Sequence, residues 1–505
     1  MMSSTPHFVG FEMEVGAHWT NTDTAKAGVE PASALVAAHR RLCGWPGGES
    51  DGGAGEFDGN GFRVYRDHAH CEVASPLVPS AAALVLSMRH ARSLVADCQR
   101  EAERQGKRMR VSFNCTNRQD VAWGAHVNVL VARRVFDAWR EAQWAPLRPQ
   151  WIPFLVTSLP LVGTGKVGAE QGAPDCAFQF SQKADFIDAE VGLETVTSKS
   201  LINTRDEPLA DPARYARLHI IAWDTNLMEF ATWLKPGVTQ VLLALVAEAV
   251  PLPRLELDDP LLALRVASRD LKLREPLRLK TGRRETALGV QRRLAEAAAQ
   301  EVQKGCAASA VPDANHIVQR WIETVDDLEA RRPRLNRRLD WCAKLRLLGQ
   351  ARRPQNIDHQ QALLLDLHYA EVGGLFEKLE KAGVADRLED FLPPGSLAQG
   401  RTRLGPREQA RADLVTRFRS NLAGVDWDHA VGKDADGRRW FIQMNDPLDS
   451  RDLLQVVTRT PDWSTCLRGL IQAGLATPTV GVCAAVSSGH RGTGESVTEE
   501  RPQQK

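Results

Sequence analysis

The ten residues from Arg63 to Glu72 hold two arginines, a tyrosine, an aspartate, two histidines and a glutamate. Phe62 and Val64 alternate with Arg63 and Tyr65 as a short strand does, and a strand turns successive side chains to opposite faces. Arg63, Tyr65 and Asp67 then share one face, and Glu72 follows after a short turn. A cation, a phenol and two carboxylates converging on one surface would suit a nucleotide with Mg²⁺. A polar edge strand with a solvated loop would carry the same residues.

Two further stretches offer matching chemistry. Phe8 to Gly16 reads as a first strand in which Glu12 and Glu14, two residues apart, lie on one face. Same-face carboxylates repel unless a cation or base stands between them, and Mg²⁺ takes oxygen ligands. Gly124 to Val131 also alternates, with His126 and Asn128 on one face and Val127 and Val129 on the other. Each stretch taken alone would equally suit a structural strand.

The elements that must position these groups follow from periodicity. Residues 30–41 and 79–105 have helical spacing, and Arg110 to Phe113 reads as a strand. Residues 44–60 are glycine-rich and acidic, which predicts a flexible loop placed as a gate; nothing there matches a Walker A pattern. Short polar-faced strands are expected over 178–186, 200–208 and 217–221. With helices grouped elsewhere, this predicts an antiparallel sheet in an α+β domain. From Gly237 the pattern is mostly helical: 239–249, 290–304, 315–330, 338–348 and 358–381. A hairpin is predicted over 430–444 with its turn at 433–437, and 475–505 reads as a disordered tail.

At 505 residues, with 43% hydrophobic and 25% charged, the composition is that of a globular protein of more than one domain. A net charge of +1 gives no bulk field toward nucleic acid or an anionic membrane, so neither is an expected partner. The nine cysteines contain no CxxC pair, and reduced thiols in a cytoplasm are the simplest reading. No apolar run approaches the about 20 residues of a membrane span. The nearest is Thr239 to Pro251, which Glu248 interrupts.

Several motifs resemble the Pup ligase and depupylase family. They are Phe178-Gln-Phe-Ser-Gln-Lys-Ala-Asp185, Ala189-Glu-Val-Gly-Leu-Glu-Thr195 and Ile202-Asn-Thr-Arg-Asp-Glu-Pro208. Gly10 to Gly16, Arg217 to Ile221 and Leu339 to Arg346 add to the likeness, which runs from about Phe8 to Ile471. The resemblance implies a glutamine-synthetase-like, carboxylate-amine ligase fold. Its parts would be a large domain over 1–420, an antiparallel sheet cradle backed by helices, and a small C-terminal domain over 421–474. It also implies ATP and Mg²⁺ as cofactors. The partner it implies is Pup, a small ubiquitin-like modifier whose C-terminal Glu side chain is joined to a target lysine, or a Pup-like modifier. Depupylases hydrolyse that bond and deamidate a C-terminal Gln of Pup.

Asp67-His68-Ala69-His70 is of the depupylase type, where the ligase has a longer Asp-Val-Gly-Ser-His. By this resemblance Asp67 is the catalytic aspartate, acting as base or nucleophile. Glu12, Tyr65 and Glu72 match Mg²⁺ ligands, His126 and His219 further metal ligands, and Glu14 joins that cluster. Arg63, Ala74, Ser75, Asn128, Arg217 and Trp427 fall where the family contacts ATP. Arg205 is a candidate for holding phosphate or a substrate carboxylate, with a structural ion pair as its alternative. Two departures stand out. The family's His-Glu-Asn is His126-Val127-Asn128 here, which removes an acid from beside the ligands. Its His-Pro-Glu-Tyr is His70-Cys71-Glu72-Val73. These changes point to a divergent member, with room for a modifier other than Pup. Hydrolase, ligase and non-catalytic binding readings all stay open.

Overall fold

The computed structural model describes residues 7–20, 30–45, 56–193, 198–355, 357–394, 396 and 404–479. The expected glycine-rich gate lies outside them between 46 and 55, and so do Glu194 and Thr195 and the chain from 480 onward.

Eight strands form the main sheet: β1 (Val9–Trp19), β2 (Arg63–Asp67), β3 (His70–Ala74), β4 (Met109–Ser112), β5 (Ala125–Ala132), β6 (Ala189–Gly192), β7 (Ser200–Asn203) and β8 (Tyr215–Ile220). Their order is β2-β3-β1-β5-β8-β7-β6, with β4 paired to the far end of β1. The pairs are antiparallel, as expected, except that β6 runs parallel to β7.

Alternation decides which residues see the core. Phe11, Met13 and Val15 of β1, Cys71 and Val73 of β3, and Val127 and Val129 of β5 all turn inward. Helices α1 (Pro31–Leu42) and α2 (Ala81–Arg104) pack behind this face. Ser80 caps α2 by accepting from the Ala83 amide at 3.2 Å. Leu84, Ala91, Val95 and Cys98 form its buried stripe.

Four sequence expectations need correction. Residues 178–186 are not a strand. After one bridge between Lys166 and Gln179 the chain turns, because the Asp224 carboxylate accepts from the backbone amides of Gln182 (3.0 Å) and Lys183 (3.2 Å). Residues 358–381 form two helices, His359–Tyr369 and Leu375–Lys381, separated where Gly373 adopts φ +75°. The helix expected from Thr239 begins ten residues earlier, as α3 (Glu229–Ala247). Its early turns carry Glu229, Thr232 and Lys235, which are buried and bonded. The Lys235 ammonium, for example, donates to the Asp224 carbonyl at 2.9 Å. At 19 residues with a mean hydropathy of 1.4, α3 is long and apolar enough to cross a membrane, contrary to the sequence reading. It is packed inside the domain, against α2.

A second core gathers α4 (Pro406–Phe418), a four-stranded sheet of β9 (Leu422–Val425), β10 (His429–Lys433), β11 (Arg439–Gln443) and β12 (Ala476–Pro478), and two helices between β11 and β12. β10 and β11 are the expected hairpin. β12 shows that ordered chain continues past the expected start of the tail. Phe57 and Trp45, from far earlier in the sequence, are buried in this same cluster.

Candidate active site

The outer face of the large sheet carries the polar groups. β1 presents Glu12 and Glu14 side by side. Register sets Glu14 opposite Glu72 on β3, and Glu12 opposite His126 on β5. Tyr65 is opposite Glu72 on β2, and His219 on β8 is opposite Asn128. The β2–β3 hairpin turns at His68 and Ala69, with Asp67 paired to His70. His68 takes φ +48°, the left-handed conformation that a two-residue hairpin demands.

Two groups of potential ligands result. In one, the ligand atoms of Glu14, Asp67 and Glu72 lie within 4.8 Å of one another; in the other, those of Glu12, His126 and His219 do. The resemblance had implied one cluster built on Glu12, Tyr65 and Glu72. Here Tyr65 stands behind Glu72, to which its hydroxyl donates. Burial, then repulsion from Glu12 and Glu14, push Glu72 well above the usual carboxylate range. Burial acts the same way on Glu12, but His219, His126 and Arg217 outweigh it and hold its carboxyl well below that range. His126 Nδ1 is 3.1 Å from Glu12 Oε2, and Arg217 Nη1 donates to Glu12 Oε1 at 3.0 Å. Burial drives His219 down to about 3. Its Nε2 is 3.3 Å from Glu12 Oε2 but outside hydrogen-bonding geometry.

These residues fit divalent cations. An all-carboxylate group suits a hard ion such as Mg²⁺, and a glutamate with two imidazoles also binds divalent metals. Gly124 supports the assignment: a Cβ there would come within 2.5 Å of Glu14 Oε1 and 2.8 Å of His126 Cε1. The chain thus keeps side-chain volume out of the space between the two groups.

Beside them lies an open cleft, whose unfilled space of about 540 Å³ includes solvent. Ala74, Ser75, Asn128, Arg217 and Trp427, all named from sequence as nucleotide contacts, line it, together with Glu12. Among the described residues Asn128 Oδ1, buried there, has no hydrogen-bond partner, an acceptor left for something in the cleft. Ser75 is occupied structurally, its Oγ accepting from the Phe11 amide at 2.9 Å. Trp427 is braced by Phe57 at 5.1 Å and by the Arg411 guanidinium at 4.8 Å. Such a wall suits an aromatic ring, and Arg217 an anion.

Two named residues are placed differently. Arg63 does not line the cleft. It pairs with Glu56 (2.8 Å) and Asp426 (3.3 Å) and lies over the Tyr65 ring at 4.8 Å, tying β2 to the segment that holds Trp427. Arg205 stands outside the cleft lining, 3.9 Å from Glu207. Sequence reasoning missed Arg407, a buried guanidinium from α4 on the cleft wall, bonded to the Leu209 carbonyl at 2.8 Å. Nothing local in the sequence signals it: beyond its pair with Glu408, the segment it reaches on the cleft wall lies distant in the chain.

The departures at positions 71, 73 and 127 share one property. Cys71, Val73 and Val127 all point into the hydrophobic core, on the face opposite the site. His70, Glu72, His126 and Asn128 keep the outer face. The expectation that Val127 removes an acid from beside the ligands is therefore corrected: that side chain faces away from them.

Comparison with known proteins follows the same lines. Residues 8–431 match the family described as Pup-ligase protein. A depupylase of Acidothermus cellulolyticus is 33% identical over 379 residues, 74% of either chain. A Pup–protein ligase of Actinosynnema mirum is 31% identical over 463 residues, 88% of this chain and 96% of that one. Among solved structures, the ligase PafA in complex with the ubiquitin-like protein Pup superposes with a TM-score of 0.74. It is 22% identical and covers 93% of this chain and 96% of its own. PafA in complex with ADP gives 0.67 at 22% identity, over 80% and 90% of the two chains. These likenesses show the fold, the sheet cradle with helices that the resemblance implied.

Proposed function

The chain belongs to the Pup-ligase protein family, and from that premise we propose that it is an ATP- and Mg²⁺-dependent isopeptidase and deamidase. Its substrate would be the amide between the C-terminal Glu or Gln side chain of Pup, or a Pup-like modifier, and a target lysine. The observation that carries the reading is the β2–β3 hairpin. It sets Asp67, in the depupylase-type Asp67-His68-Ala69-His70, beside Glu14 and Glu72.

The residues divide the work. Asp67 is 23% exposed at the side chain, so a substrate amide or a water can reach it, whereas Glu72 is buried. As a base it would take a proton from water that attacks the amide carbonyl, and the lysine amine would leave with a proton. As a nucleophile it would attack that carbonyl itself, and water would then release it. His68 Nδ1, 3.0 Å from Asp67 Oδ1, steadies the carboxylate. Trp427 and Arg217 would hold the nucleotide's ring and phosphates, and Asn128 Oδ1 would accept from the ligand. Glu14 and Glu72 would hold Mg²⁺, with Glu12, His126 and His219 around a second ion. When bound, the metal offsets negative charge on the phosphates and on the reacting carbonyl. Net hydrolysis of an amide requires no ATP cleavage, so nucleotide serves as a bound cofactor.

A ligase reading is the second. It is favoured by the Pup–protein ligase relative, whose match spans more of both chains than the depupylase match. One experiment separates the two. The protein is incubated with Mg²⁺-ATP, a Pup ending in Gln and a Pup-conjugated protein, and products are read by mass. Loss of conjugate and Gln-to-Glu conversion support the isopeptidase. Conjugate growth with steady ADP release supports the ligase.

A further inference from the structure

His70 stands on the site face but outside both groups of potential ligands. It opens β3, and its Nδ1 lies 2.9 Å from Glu14 Oε2. Its ring is held from the other side by the Trp123 indole, with centroids 4.9 Å apart and planes at 31°. The indole is itself fixed. It lies over Gly16, where an added Cβ would approach its ring to 2.7 Å, and the Trp123 amide donates to the Cys115 carbonyl at 3.0 Å. The neighbouring Ala122 carbonyl accepts from the Lys199 ammonium at 3.0 Å. The other oxygen of Glu14, Oε1, sits over the bare Cα of Gly124. One oxygen of Glu14 is thereby engaged by a clamped imidazole, and the other faces Gly124, which carries no side chain.

We propose that His70, wedged by Trp123, is a positioning residue that makes Glu14 a one-oxygen ligand of the cation it would hold with Glu72, beside Asp67. The inference deepens the proposed function and rests on its reading of that carboxylate group as a cation site. A free carboxylate at the end of a flexible side chain would swing between one- and two-oxygen binding and would turn toward neighbouring cations. Tying Oε2 to His70 removes that freedom before the ion arrives. Hydrogen-bonded partners of ligating side chains typically contribute about 10- to 100-fold to metal affinity. Trp123 supplies no ligand; it stops the imidazole from rotating off the carboxylate.

The test uses the full chain and Mn²⁺ as a spectroscopic probe of the cation site. Free Mn²⁺ is followed by electron paramagnetic resonance for wild type, His70→Ala, His70→Asn, Trp123→Phe and Glu14→Gln, with melting temperature and affinity for a fluorescent ADP measured in parallel. His70→Ala is expected to weaken Mn²⁺ binding about 10- to 100-fold while metal-free ADP affinity holds. His70→Asn, which keeps a donor toward Oε2, should recover much of that loss, and Trp123→Phe should fall between. If His70→Ala melts lower but binds Mn²⁺ as wild type does, the positioning role is overturned and His70 is structural. The role is equally overturned if His70→Asn loses as much affinity as His70→Ala. Should wild type itself fail to bind Mn²⁺, the cation-site reading falls first, and the His70 inference falls with it.

Discussion

Replacing Gly124 by alanine tests the two-group arrangement with the smallest available change. The added methyl would stand 2.5 Å from Glu14 Oε1 and 2.8 Å from His126 Cε1. Ordinary contact begins near 3.4 Å, so Glu14 must give way by roughly 0.9 Å and His126 by roughly 0.6 Å. Either retreat displaces a ligand of one group, and Glu14 is already fixed through its other oxygen. Losing the geometry of one ligand should weaken divalent-ion binding about 10- to 100-fold, on the order of 1.4 to 3 kcal/mol. The fold should tolerate the change. Gly124 has no left-handed φ, so alanine gains about 0.4 to 1 kcal/mol by narrowing the unfolded ensemble, which offsets part of the crowding. Calorimetric titration with Mn²⁺, beside a thermal melt, reads both quantities. A variant that melts within a few degrees of wild type and binds metal unchanged would refute the claim that Glu14 and His126 are ligands of the two groups.

Other consequences follow from the same geometry. Glu12→Ala should weaken Mg²⁺-nucleotide binding and leave the melt nearly unchanged; equal calorimetric affinity would count against its ligand role. Away from the site, Asp366 is buried between Arg118 (2.7 Å) and Lys344 (2.7 Å). Burial raises its pKa, but those two cations outweigh it and hold the carboxyl at about 2. Because that value lies below the unfolded one near about 3.9, its contribution of about 2 to 3 kcal/mol is present above about pH 4. It should be lost as pH falls from about 4 through about 2. Asp366→Asn should destabilise the protein at neutral pH and flatten that acid limb; an unaltered limb in pH-dependent denaturation would show that the acid transition lies elsewhere.

Strand alternation made most of the site legible. Glu12 and Glu14, Arg63 to Asp67, and His126 with Asn128 needed only the two-residue period to be assigned a common face, and the sheet registers them as neighbours. The division into two ligand groups was not legible, because it depends on cross-strand register: Glu14 meets Glu72, whereas Glu12 meets His126 and His219. The strand expected over 178–186 failed because Gln182 and Lys183 give their amides to Asp224, a distant residue with no local signature. The start of α3 was hidden by Lys235 and Pro236, whose cost is offset by burial and by the Asp224 and Asn226 acceptors. The C-terminal wall of the cleft, Arg407 above all, rests on contacts between distant segments that no periodicity reports. Conversely, the substitutions at 71, 73 and 127 looked like changes to the site and are changes to the core.

The claim that Asp67 performs the chemistry is tested most directly by Asp67→Asn, assayed on a Pup conjugate with nucleotide affinity measured on the same sample. The change keeps size and hydrogen-bonding capacity but removes the base and the nucleophile together. Hydrolysis should fall by about a hundred- to ten-thousand-fold or more, with nucleotide binding kept or tightened as repulsion of the phosphates weakens. If asparagine merely caps the hairpin as aspartate does, turnover will stay near that of wild type, and that result would contradict the catalytic assignment.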